Sequence, residues 1–62
     1  MPSDEQTAIK ARLLDCETRM ARQRVEIAHL TNAGTDASFA LNLLSAMESM
    51  QARRLRRLAA LA

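Results

Sequence analysis

The run Arg53-Arg54-Leu55-Arg56-Arg57-Leu58 is the part of this sequence whose residue types and spacing most directly offer chemistry. Four guanidinium forks on adjacent helical turns match phosphate oxygens and could track a nucleic-acid backbone. Three other readings stand beside that one. Cations in the last turns of a helix complement the negative end of its dipole, and arginine stems cover apolar surface while the charge stays in water. An acidic protein partner would use the same forks. An anionic membrane surface would find only Leu55, Leu58 and Leu61 to bury and no bulky anchor. The structural role ranks first, then the acidic partner, then nucleic acid and last the membrane. Base stacking needs aromatics, and the single one, Phe39, lies about four turns away.

The remaining reactive side chains stand alone. Cys16 recurs with apolar residues at helical spacing, where a cysteine acts as a small hydrophobe. His29 falls off that stripe and reads as a solvated surface residue. One thiol excludes an internal disulfide, and one Cys with one His falls short of a four-ligand zinc site. Asp15, Glu17, Glu26 and Glu48 read as solvated helical charges, Asp15 pairing with Arg19 at i, i+4. No nucleophile with its base, paired carboxylates or glycine-rich anion cradle is present. The expectation is therefore a non-enzymatic protein without metal or cofactor.

The elements that would carry these residues are helices. The chain has 62 residues, 48% apolar and 2% aromatic, with one Gly and one Pro, and the strongest helix formers dominate. Ser3 and Gln6 have capping-box spacing, and Asp4 and Glu5 suit the positive end of a helix dipole. From there Ile9, Leu13, Cys16, Met20, Gln23, Ile27 and Leu30 recur in steps of four and three without interruption, a heptad seam that holds one amide. Gln23 reads either as a buried residue fixing register or as a residue at a solvated edge.

The spacing predicts a first helix over about 4–32, a turn over about 33–36 and a second helix over about 37–61. Gly34 supplies a left-handed C′ residue, and Thr35 or Asp36 an N-cap oxygen. So short a turn makes the helices antiparallel neighbours. On the second helix Phe39, Ala40, Leu43, Leu44, Ala46, Met47, Met50, Leu55 and Leu58 fill about half the circumference, wider than a two-stranded seam. The first helix carries a second, weaker stripe of Leu14, Ala21, Val25 and Ala28.

Surplus apolar surface on both helices predicts self-association. A chain this short buries only about 60% of its unfolded surface, and without disulfide or metal it is left with packing and oligomerisation. The fold expected is all-α: an antiparallel hairpin pairing into a homodimeric four-helix bundle. Its expected oligomer interface is Leu14, Ala21, Val25, Ala28, Phe39, Leu43 and Met50, a surface that could equally receive helices of another protein.

Charge and hydropathy narrow the setting. Residues 1–35 carry five acidic and five basic groups, so the net +2 comes from the C-terminal arginines. No run of about 18 apolar residues is present to span a bilayer, and Met1-Pro2-Ser3-Asp4-Glu5 lacks a signal-peptide core. A cytoplasmic location is expected, with no membrane partner.

The segment Ile27-Ala28-His29-Leu30-Thr31-Asn32-Ala33-Gly34-Thr35-Asp36, followed by Ala40, Leu43-Leu44, Met47 and a basic tail ending in leucine, resembles a group of short helical-hairpin proteins of proteobacteria. The resemblance covers about residues 20–58 and implies a helix-turn-helix hairpin without an assigned activity. In architecture, without a sequence match, the expected hairpin is similar to the Rop type, which dimerises into a four-helix bundle and binds RNA. The function expected is a self-associating interaction or adaptor module; the alternative is a nucleic-acid (RNA) binding hairpin using Arg53, Arg54, Arg56 and Arg57.

Overall fold

The computed structural model describes residues 3–61. Met1, Pro2 and Ala62, which the sequence reading includes in the hairpin, lie outside the described residues. Two helices account for the fold, α1 (Asp4–Asn32) and α2 (Ser38–Leu61), with no strand among the described residues.

Each helix end is closed by a local device. Ser3 caps α1: its hydroxyl accepts the Gln6 N–H at 3.1 Å, and its own N–H donates to Gln6 Oε1 at 2.8 Å, which completes the capping box. At the other end Gly34 takes φ +69°, the Thr35 N–H donates to the Leu30 carbonyl at 2.9 Å and the Gly34 N–H to the Thr31 carbonyl at 3.1 Å. This Schellman pair satisfies carbonyls the helix leaves open. The turn then hands over to Asp36, whose Oδ1 accepts the Ser38 N–H at 2.9 Å and the Ser38 hydroxyl at 2.6 Å. The backbone N-cap is Ala37, whose carbonyl takes the first helical bond from Leu41. Of the two oxygens considered for this cap, Asp36 supplies it, and α2 begins at Ser38.

Antiparallel pairing follows one register. Cys16 reaches the Met47 carbonyl and Gln23 the Ala40 carbonyl, and the residue numbers of each pair sum to 63. On α1 the residues withdrawn from water are Gln6, Ile9, Leu13, Cys16, Met20, Gln23, Ile27 and Leu30, the predicted seam extended by Gln6. On α2 they are Ala37, Ala40, Leu44, Met47, Gln51, Arg54, Leu58 and Leu61, again in strict steps of three and four.

That seam is the whole core. Among the described residues only Ile9, Leu13, Cys16, Met20 and Ala40 are buried, and no large side chain is fully enclosed. The molecule measures 49 × 15 × 11 Å with a radius of gyration of 14.6 Å, against about 10.6 Å for a compact domain of this length. It is one helix pair thick, so each helix has a single covered side.

Candidate interaction surface

Three glutamines, Gln6, Gln23 and Gln51, and one arginine, Arg54, occupy seam positions, and each glutamine does so differently. Gln23 is half-buried and its Nε2 donates to the Ala40 carbonyl at 3.0 Å, a tie from α1 to α2 near the turn. Of the two readings of Gln23, the structure supports the inward one. Gln6 completes the α1 cap with Oε1 and spends Nε2 on the Leu61 carbonyl of α2 at 3.1 Å. One side chain thereby serves the start of one helix and the end of the other. Gln51 is half-buried, and its Oε1 is buried without a hydrogen-bond partner.

Cys16 is a buried free thiol, 3.6 Å from Met20 Sδ and 3.8 Å from the Met47 carbonyl. Those contacts make it a packing residue of the seam. His29 is exposed, one turn from the C-terminus of α1. No group of three or more His, Cys, Asp or Glu side chains among the described residues is placed to hold a metal ion. No described helix is long and apolar enough to cross a membrane.

The seven residues expected to form an oligomer interface are all exposed, but they do not make one patch. Phe39, Leu43 and Met50 lie along one flank of α2, on the same side of the hairpin as Arg12, Arg19 and Arg22 of α1. Leu14, Ala21 and Ala28 follow the opposite flank of α1, and Val25 points from its outer back. The two sets therefore lie on opposite sides of the hairpin, with its thickness between them. Leu41 and Leu55, exposed on the same side as Leu14, join that second set. Four seam positions of α2, Ala37, Gln51, Arg54 and Leu61, were absent from the predicted apolar stripe.

Shallow grooves run the length of the first side. Near the turn the lining includes Glu26, Asp36, Phe39 and Leu43; mid-length it is Asp15, Arg19, Leu43 and Met50; at the open end Glu5, Arg12, Arg53, Arg54 and Arg57. Phe39 is 82% exposed, Met50 45% and Leu43 39%. Along α2 this side therefore passes from acidic to apolar to basic.

The arginine cluster divides in space. Arg53, Arg54 and Arg57 border the open-end groove, whereas Arg56 falls on the outer back of α2. Arg12 of α1 joins them, a residue that enters the sequence reading only as one of the five basic groups of residues 1–35. Its signal was available only through the register: position 12 comes opposite the early fifties once residue pairs sum to about 63. Arg57 Nε donates to Glu5 Oε1 at 2.8 Å. That hydrogen bond holds the Glu5 carboxyl below its ordinary range and raises Arg57. Both side chains are about half exposed, so the pair adds little to stability. Asp15 and Arg19 form the expected i, i+4 pair at 3.1 Å, also exposed. Among the described residues Arg12, Arg53 and Arg54 have no ion-pair partner.

Compared with known proteins, the chain matches no family model, no curated protein and no solved structure.

Proposed function

We propose that this chain is a small, non-enzymatic interaction module of the cytoplasm that associates with itself through an exposed helix face, two hairpins bringing four helices together. The supporting observation is the stripe of Phe39, Leu43, Ala46 and Met50, spaced by four, three and four on α2, with Phe39 82% exposed. A hairpin whose own seam buries five residues has little stability to spare for an aromatic ring in water. Covering that stripe withdraws from water apolar surface that the hairpin's own seam leaves exposed. Sedimentation equilibrium of the purified chain, from about 1 to 500 μM, tests the reading, since small interfaces hold in about the micromolar range. A concentration-dependent shift from 7 to 14 kDa is expected, against a chain mass of 6.9 kDa. A mass of one chain across the whole range would remove the proposal.

One observation favours a second reading. Arg12, Arg53 and Arg54, without ion-pair partners, share a groove with Arg57 and suit phosphate oxygens, as an RNA-binding hairpin would require. The association reading accounts for the apolar middle of the face as well as its basic end, so it stands first. Binding of a short RNA duplex that weakens steeply with salt, and is lost on replacing Arg12, Arg53, Arg54 and Arg57 by Gln, would reverse that order.

A further inference from the structure

Resting on the self-association proposed above, we infer that two copies pair antiparallel through α2, with Ala46 at the two-fold axis. The argument begins with the lengthwise order of charge. Asp36, Phe39, Leu43, Ala46, Met50, Arg53 and Arg57 follow one flank of α2 in unbroken steps of three and four. The turn end of the strip holds Asp36, while Glu26 and Arg22 of α1 beside it offset one another. The middle of the α2 strip is apolar, and its open end holds Arg53 and Arg57, the latter also bonded through Nε to Glu5 of α1. A strip ordered acid, apolar, base is complementary to itself when reversed.

Reversal about position 46 also matches side chain to side chain to within one residue, the numbers of each pair summing to 92 or 93. Leu43 comes opposite Met50 of the second copy, closing two identical apolar layers around the axis. Phe39 comes opposite Arg53 of the second copy, where a guanidinium on the ring face is attracted by its quadrupole. Asp36 comes opposite Arg57 of the second copy. Ala46 is the smallest residue of the strip and sits where the two helices must approach most closely, at the 8–10 Å typical of packed helices. Steps of three and four are those of a left-handed antiparallel pair.

Alternatives on the same face fare worse. A parallel pair would stack Arg53 on Arg53 and Arg57 on Arg57, a like-charge arrangement that works against association. Docking through α1 would press Arg12, Asp15, Arg19, Arg22 and Glu26 against the neighbour, with Ala8 the one apolar residue on that flank. The contact therefore runs from α2 to α2, with each α1 at its rim. An interface at the lower bound of specific complexes, about 600 Å² from each copy, takes roughly an eighth of the 4729 Å² surface.

Site-directed cross-linking decides the geometry. In a Cys16→Ala background, Ala46→Cys, Ala52→Cys and Phe39→Cys are each treated with a short bismaleimide, at a concentration where sedimentation of that same variant shows dimer. Position 46 meets its own copy at the axis, position 52 lies on the opposite side of the hairpin, and positions 39 are about 21 Å apart along antiparallel helices. Ala46→Cys is expected to cross-link about tenfold more than the other two, as the separation dictates. Efficient linking of Phe39→Cys would show parallel helices and overturn the orientation. Dimer that links through Ala52→Cys, or through no position of the three, would overturn the choice of face while leaving self-association intact. A monomer throughout would remove both proposals together.

Discussion

Replacing Gln51 by leucine should stabilise the hairpin, and the structure sets the size of the effect. Gln51 lies in the α2 seam between Met47 and Arg54, and its Oε1 is the buried side-chain oxygen without a hydrogen-bond partner among the described residues. A buried acceptor left unpaired costs about 1–3 kcal/mol. Leucine removes that cost and adds apolar contact, and because the residue is only half-buried the gain falls at about 1–2 kcal/mol. For a domain of this size each kcal/mol moves the midpoint by roughly 4–8 °C. Thermal unfolding followed by far-UV circular dichroism should therefore shift upward by about 5–15 °C. Gln23→Leu is the control, because its amide is engaged with the Ala40 carbonyl and its loss cancels most of the apolar gain, leaving a change within about 1 kcal/mol. Residue 51 faces the partner helix and not the exposed strip, so the shift should be equal at two concentrations tenfold apart. A neutral or destabilising Gln51→Leu, or a larger gain from Gln23→Leu, would refute the account of the seam.

Other expectations follow from the caps and the exposed strip. Gly34→Ala meets no atom within 4 Å of the added Cβ, so its cost is that of a left-handed alanine alone, about 1–2 kcal/mol by denaturant titration, with Gly34→Asn losing less. Gln6→Ala breaks both the capping box and the tie to the Leu61 carbonyl, and should lower the midpoint more than Ser3→Ala, which loses about 1 kcal/mol of capping. The side-chain and backbone hydrogen bonds from Ser38 hold the Asp36 carboxyl below its usual range. Its stabilisation is therefore complete above the ordinary aspartate value of about 3.9 and lost as the pH falls through the depressed folded value. Midpoints measured between pH 6 and 2 should fall at the acid end, and Asp36→Asn, which retains an acceptor for the Ser38 N–H, should flatten that part of the profile. Phe39→Ser should raise the dimer dissociation constant by tenfold or more with helicity unchanged, whereas Leu14→Ser and Val25→Ser, on other sides of α1, should leave it near the parent value; sedimentation separates the two outcomes.

Much of the hairpin is legible in local pattern. Ser3 with Gln6, the uninterrupted seam from Ile9 to Leu30 and the lone Gly34 before Asp36 each act over a few residues, so helix bounds, turn and antiparallel sense follow from the order of side chains. The rotation of α2 does not. Its apolar residues cover about half a helix, which admits several seams, and pairing with α1 selected the one that buries Ala40, half-buries Leu44, Met47 and Leu58 and leaves Phe39 in water. The same choice drew Gln51 and Arg54 inward, against their polarity, because the register fixed by Cys16 on Met47 and Gln23 on Ala40 places them there. It also set Arg12 beside Arg53 and Arg57, turned Arg56 away, and put Leu14 and Val25 out of reach of Phe39. Periodicity states which residues share a helix face, whereas the facing of one helix toward another depends on contacts some 30 residues apart, and only packing supplies those.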